Sequence, residues 1–275
     1  MTYATVMVGM ALDQSNEARL EVAGQLAERF VSTVIGIAAA EFSPPLYFTD
    51  GEQAEKVIDR GRAAVKNRLA DLEAEFRAAM QNRATEAEWR SAEDFPARYI
   101  IPEARAADII VVGEAHGGIG DPFSQIDPGD LVMQAGRPLL VVPDTCNWLD
   151  LRSVLIAWKD TAEARRALAD ALPMLRKATD VAVVEIVEEQ AGRAAALSRL
   201  KDVVAWLSRH GISASELVPH ECGDADSGLE RIASEVGAGV IVAGAYGHSR
   251  FREWILGGVT RRLINPSNRC SLLSR

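Results

Sequence analysis

Cysteine is scarce: Cys146, Cys222 and Cys270 are the three in 275 residues, and no two of them stand in a CxxC pair. Their odd number and wide spacing give neither a disulfide framework nor a cysteine-based metal or redox motif, so a reducing cytoplasm is the expected compartment. Positive charge is also in deficit. With 30 Lys and Arg against 39 Asp and Glu the net charge is −9, which removes any bulk electrostatic pull toward nucleic acid or an anionic membrane. No apolar run reaches the roughly 18 residues that span a bilayer, and Met1–Val8 lacks the basic stretch that opens an export signal. Neither a membrane anchor nor export is expected. Missing too are a G-x-G-x-x-G after a first strand and a G-x-x-x-x-G-K-[ST], so dinucleotide dehydrogenases and P-loop NTPases fail at their defining positions. What remains, 48% hydrophobic and 25% charged residues with 21 Gly and 11 Pro, is an ordinary globular composition. The length suits two α/β units of about 140 residues each.

The chain reads as one unit written twice. Thr5–Leu12 is a buried-type strand ending at Asp13, and Leu20, Ala23, Leu26, Ala27 and Phe30 follow at helical spacing. Ser153–Trp158 repeats the strand and stops at Lys159-Asp160-Thr161, before a second helical pattern through Ala164, Leu168, Ala171, Leu172 and Leu175. Pro173 removes a backbone donor there, and a kink is expected. Each helix leads into another apolar run, Ser32–Ala38 or Val181–Val187, and later each half has a strand running into glycine, Ala107–Gly113 or Ala238–Gly244. A glycine-containing loop, a helical stretch and a terminal strand close each unit, at Arg137–Pro143 and at Cys270–Ser274. Weaker strands are predicted at Glu86–Arg90 and Ser213–Val218. Runs apolar on both faces and separated by helices predict parallel strands covered on two sides. The polar, Pro-containing stretch Pro143–Asn147 places the boundary, giving units 1–145 and 146–275. The first unit also carries a long amphipathic helix with Val57, Val65, Leu69, Leu72, Phe76 and Met80 on one stripe, expected to pack on its own sheet.

In an open parallel sheet, ligands settle outside the carboxyl ends of the strands. The second unit places there Gly244-Ala245-Tyr246-Gly247, then Gly257-Gly258-Val259-Thr260. Glycines let backbone N–H groups approach phosphate oxygens, and a helix start near Gly258 adds its positive dipole end.

Strand, then G-x2-G-x9-G at Gly244, Gly247 and Gly257, then a Val-Thr helix start, resembles the nucleotide loop of the universal stress protein family, whose pattern is G-x2-G-x9-G-[ST]. Duplication of the unit is similar to tandem members of that family. The resemblance covers nearly the whole chain. It implies an α/β, Rossmann-like architecture: two five-stranded parallel sheets in the order 3-2-1-4-5, packed as a pseudo-dimer through their last strands, Leu139–Val142 and Cys270–Ser274. It also implies an adenine nucleotide, ATP or AMP, with Mg²⁺ accompanying ATP, in some members and no nucleotide in others. Carried over, Gly244, Gly247 and Gly257 approach ribose and phosphates, and Gly258, Val259 and Thr260 present donors to the phosphate tail. Ala157 lies near adenine, Val187 walls the base, and Trp158, Lys159, Asp160 and Ala243 complete the strand ends. Two positions depart from the pattern: Gly258 stands where the family has Ser or Thr, and Lys159 stands where nucleotide binders have Asp, with Asp160 one place later.

In the first unit Asp13 falls at the strand end, but Gly113–Gly120 has the wrong glycine spacing, and Asp130 puts a carboxylate where phosphate needs donors. One site per chain is the expectation. Other constellations are weak: His220-x-Cys222 lacks further metal ligands, His248 beside Ser249 lacks an elbow motif, and Arg250 and Arg252 serve a phosphate or a solvated loop equally well. The reading is a cytoplasmic stress-response binding module with one nucleotide site, no catalytic residue, no tightly bound metal and an unidentified protein partner. A homodimer of the whole chain stays open. The alternatives are an interaction scaffold without nucleotide and, resting on Asp160 alone, a slow ATPase.

Overall fold

The computed structural model describes residues 2–44, 51–115, 123–187, 192–219, 225–245, 258–265 and 267–275. Five strands build the first half of its sheet: β1 (Thr5–Gly9), β2 (Thr33–Ala39), β3 (Ala87–Ala92), β4 (Ile109–Gly113) and β5 (Leu139–Val142). Five more build the second: β6 (Ser153–Ala157), β7 (Asp180–Val184), β8 (Ser215–Leu217), β9 (Val240–Gly244) and β10 (Cys270–Ser274). They hydrogen-bond in the order β3-β2-β1-β4-β5-β10-β9-β6-β7-β8, so each half has the 3-2-1-4-5 arrangement. Every pairing within a half is parallel. The halves join by the antiparallel pair β5–β10, in the register Ser271↔Val141, Leu272↔Leu140, Leu273↔Leu139. The terminal strands therefore pair directly, and the pseudo-dimer is one continuous sheet.

Strand alternation sends side chains to two apolar faces. One face is covered by α1 (Glu17–Phe30), α2 (Gly51–Met80), α5 (Ala162–Leu175) and α6 (Arg193–Arg209). The other is covered by α3 (Pro96–Glu103), α4 (Pro128–Gln134), α7 (Ala225–Glu235) and α8 (Gly258–Ile264). The β5–β10 seam lies between both layers. Leu140 and Leu272 face one and Leu139 and Leu273 the other, all fully buried; each such burial stabilises by about 1.5–3 kcal/mol. The outermost strands β3 and β8 are the least buried, as edges are.

Three local outcomes differ from the sequence expectation. β1 stops at Gly9 although Ala11 and Leu12 are buried. The Asn16 side chain explains this: its Oδ1 accepts from Ala11 N–H at 2.9 Å and its Nδ2 donates to Ala11 C=O at 3.0 Å, replacing the ladder with a turn. β7 stops at Val184 because its neighbour β8 ends at Leu217, whose carbonyl takes the Glu185 N–H as the last ladder bond. Helix α3 has no counterpart in the apolar pattern. It starts with Pro96 as a first-turn proline and buries Ile100, but eight residues are too few to show a helical period. Pro173 is buried inside α5, which continues to Leu175.

Candidate functional site

The two halves can be superposed residue by residue at their strand ends. Met10 N–H donates to Ile37 C=O and Trp158 N–H donates to Val184 C=O, both at 2.8 Å, so Met10 and Trp158 are equivalent. Helices α1 and α5 each have 14 residues, which makes Arg19 the counterpart of Ala164 as the third residue in each. Gly113 and Gly244 are the last residues of β4 and β9. Asp13 then lies in a longer loop, four residues beyond the end of β1, and is exposed, so it is not the strand-end carboxylate.

In the second half the strand ends offer small residues and one cation. Ala157 and Ala243 are direct neighbours across β6 and β9, and both face the layer that holds α7 and α8. Val259, in the first turn of α8, packs partly buried on that same layer. Lys159 is exposed, and its ammonium makes no ion pair among the described residues. Asp160 is exposed and paired with Arg165, Nη1 to Oδ1 at 2.6 Å.

Other residues of the expected site are engaged elsewhere. Trp158 is 8% exposed and joins the opposite apolar cluster with Ala164, Leu168 and Leu200; its indole Nε1 has no hydrogen-bond partner among the described residues. The indole thus lies in the core. Val187 packs on that same cluster rather than beside Ala157. Thr260 is buried and is not without a partner. A Cβ on Gly244 would stand 2.5 Å from the Ala164 nitrogen, so backbone approach of α5 to β9 requires glycine there, independently of any ligand. The next amide, Ala245 N–H, is taken by Ser274 C=O at 2.7 Å. Gly258 begins α8, while Gly247 and Gly257 lie outside the described residues, as do His116, His220, Cys222, His248, Ser249, Arg250 and Arg252.

The first half is closed by two residues that the sequence reading did not single out. Arg19 is 2% exposed, and its guanidinium lies against the position that a Gly113 Cβ would take. It donates from Nη1 to Gly9 C=O at 3.4 Å and from Nη2 to Gln14 Oε1 at 3.1 Å, with no ion pair among the described residues. Burial pulls its pKa down to about 10, against the pull of Asp144, Glu75 and Glu114, so the group stays charged at neutral pH. The second closure is Asp127, the N-cap of α4, whose Oδ1 accepts from Gly129 N–H at 2.7 Å. The first turn of that helix is thereby capped from within the chain. Asp130, the carboxylate that weighed against phosphate, is half-buried, and desolvation followed by the nearby Asp127 charge pushes its pKa up. No pattern marks an inward arginine beside apolar neighbours, and Asp127-Pro128 is a helix-start signal visible only once α4 is placed.

At the strand ends of the second half Ala243 is buried and Ala157 partly buried on one apolar layer, and the nearby Lys159 is exposed. Asp160 is engaged by Arg165, and Thr260 is buried. Among the described residues no three His, Cys, Asp or Glu side chains come together as a metal site, and no helix is long and apolar enough to cross a membrane.

No family model matches the chain, and no curated protein matches it. Solved structures do. The chain is similar to a universal stress protein from Archaeoglobus fulgidus DSM 4304, with a TM-score of 0.76 at 16% identity over 98% of this chain and 96% of that one. A functionally unknown protein from Pseudomonas aeruginosa PAO1 follows at a TM-score of 0.62 and 17% identity, covering 99% of this chain and 92% of its own. A protein provisionally assigned to the universal stress proteins, from Pseudomonas aeruginosa UCBPP-PA14, gives 0.61 at 16% identity, covering 99% and 93%. Likeness over both halves at this level of identity shows the fold: this chain has the tandem architecture of a universal stress protein.

Proposed function

We propose that the chain is a tandem stress-response binding module of units 1–145 and 146–275, in which the second unit takes an adenine nucleotide and the first takes none. The observation that carries this reading is the asymmetry at one pair of equivalent positions. In the first unit a buried guanidinium, that of Arg19, lies against Gly113 at the strand end, whereas in the second the backbone of Ala164 lies against Gly244 and the cation that follows the first strand, Lys159, is exposed. The glycine spacing Gly244, Gly247, Gly257 belongs to the second unit alone. The base would rest on Ala157 and Ala243 and the phosphate tail would meet Lys159 together with the segment leading to Gly258, Val259 and Thr260. Binding there couples that segment to the ligand and so alters the surface offered to a protein partner. The cytoplasm is the proposed compartment, and Mg²⁺ would enter only with ATP.

A scaffold without nucleotide is the second reading, favoured by the ion pair of Asp160 with Arg165 and by the buried Thr260. Thermal-shift titration of nucleotide-stripped protein with ATP and AMP, with and without magnesium, separates the two. A ligand at about 100 times its dissociation constant adds roughly 2.7 kcal/mol of stability. A saturable shift that weakens in Lys159→Glu supports the nucleotide site. No shift at millimolar ligand overturns it in favour of the scaffold.

A further inference from the structure

Cys146 and Cys270 are 124 positions apart, yet their sulfur atoms stand 3.5 Å from each other. Cys146 belongs to the segment between β5 and β6, and its amide is fixed by Pro143 C=O at 2.9 Å. Cys270 is the first residue of β10 and is completely buried. The two differ in access. Cys146 is partly exposed and lies on the wall of an open groove of about 410 Å³, with Trp148, Asp150, Asn268 and Arg269 also facing it. A small oxidant therefore reaches Cys146 and not Cys270.

We propose that Cys146 and Cys270 form an oxidisable dithiol, with Cys146 reacting with a peroxide and Cys270 resolving the product into a disulfide. The Cys146 thiolate attacks one peroxide oxygen. The O–O bond breaks, a sulfenic acid forms, and the departing hydroxide or alkoxide takes up a proton. The Cys270 sulfur then attacks the sulfenic sulfur, the S–O bond breaks, and hydroxide leaves with the Cys270 proton as water. Two thiols have lost two electrons, and the peroxide has been reduced to water plus water or an alcohol.

The local chemistry matches these roles. The thiolate is the reacting form of cysteine. The contact with Cys270, helped by the Trp148 backbone, pulls the Cys146 pKa down to about 7 against the effect of burial, which favours the thiolate. The same contact, then burial, pushes Cys270 up and keeps it protonated until the sulfenic acid is formed. Closing 3.5 Å to a disulfide takes a movement of roughly 1.5 Å, in which the Cys146 sulfur leaves the Trp148 C=O that it meets at 3.3 Å. The bond would fasten the segment between the halves to β10 at the seam of the continuous sheet. Reduction by a dithiol would begin at the accessible Cys146 sulfur.

The test uses the full chain, reduced, desalted and treated with hydrogen peroxide, then unfolded in N-ethylmaleimide and weighed intact. Reduced protein takes three adducts. Oxidised protein is expected to take one, at Cys222, with a peptide map joining the Cys146 and Cys270 peptides. Dithiothreitol should restore three. The thermal midpoint of the oxidised form should rise by on the order of 10 °C, since the bond closes a long loop. Cys222→Ser should preserve the cross-link and Cys146→Ser should abolish it. Retention of three adducts after peroxide, arrest of Cys146 at a sulfinic acid, or a cross-link through Cys222 or between chains would each overturn the proposal. The map on unaltered protein decides the matter even if a variant folds poorly.

Discussion

The Arg19 guanidinium lies against the place where a Cβ on Gly113 would stand, and in the other half of the molecule the backbone of Ala164 lies against the same place on Gly244. One glycine at the end of a strand thus serves two different closures. In the first half it admits a charged side chain, and in the second it admits the helix itself.

The first closure predicts an unequal response at Arg19. Its buried charge has only two neutral acceptors among the described residues, Gly9 C=O and Gln14 Oε1. Arg19→Met keeps most of the volume and removes the desolvation cost, so stability in urea should stay within about 1 kcal/mol of the parent or exceed it. Arg19→Ala leaves a void and should lose about 2–4 kcal/mol. Equal losses in the two variants would show that the charge itself stabilises the fold.

The second closure predicts a ligand-independent effect at Gly244. A methyl group 2.5 Å from the Ala164 nitrogen has backbone rather than a flexible side chain to displace. Gly244→Ala should cost about 1–3 kcal/mol in nucleotide-free protein, read as a lowered denaturation midpoint. An undiminished midpoint would return this glycine to a role in binding alone.

Val31 ends α1 at φ 58 and is 77% exposed, so a β-branched side chain occupies the left-handed region with nothing packed on it in return. Asparagine tolerates that conformation better, as Asn82 at φ 63 illustrates. Val31→Asn should raise stability by about 1 kcal/mol, visible as a thermal midpoint a few degrees higher.

The loop after α2 is tied to α1 by Arg83, which donates to Glu21 at 2.7 and 3.0 Å and to Glu28 at 2.5 Å. The Arg83 hydrogen bonds hold the Glu21 carboxyl below its usual 4.5, against a smaller effect of burial. A depressed carboxylate contributes stability above its unfolded pKa and loses it as pH falls through the folded one. Arg83→Met should therefore cost about 1 kcal/mol or less at pH 7, because Glu21 is partly exposed to water. The gap between variant and parent should shrink below pH 4.5 in urea melts taken across pH. A gap that is constant with pH would assign the loss to packing.

Much of the fold was legible from short-range pattern. Continuous apolar runs and period-3.6 spacing located the strands and long helices, and the repetition of strand, helix and glycine segment marked two units, because burial on both faces of a parallel strand leaves an apolar run that neighbours alone can show. Where a polar side chain intervenes, as Asn16 does at Ala11, the run overshot the element.

The sequence by itself determined the class of fold, the duplication and the position of the glycine segment, since each is written in residues close together in the chain. Only the tertiary structure decided that Trp158 belongs to the core, that Arg19 closes the first crevice, and that Cys146 meets Cys270. These are contacts between elements brought together by strand order and helix approach. A side chain's direction, and the partner it finds a hundred residues away, depend on that packing and leave no local periodicity to read.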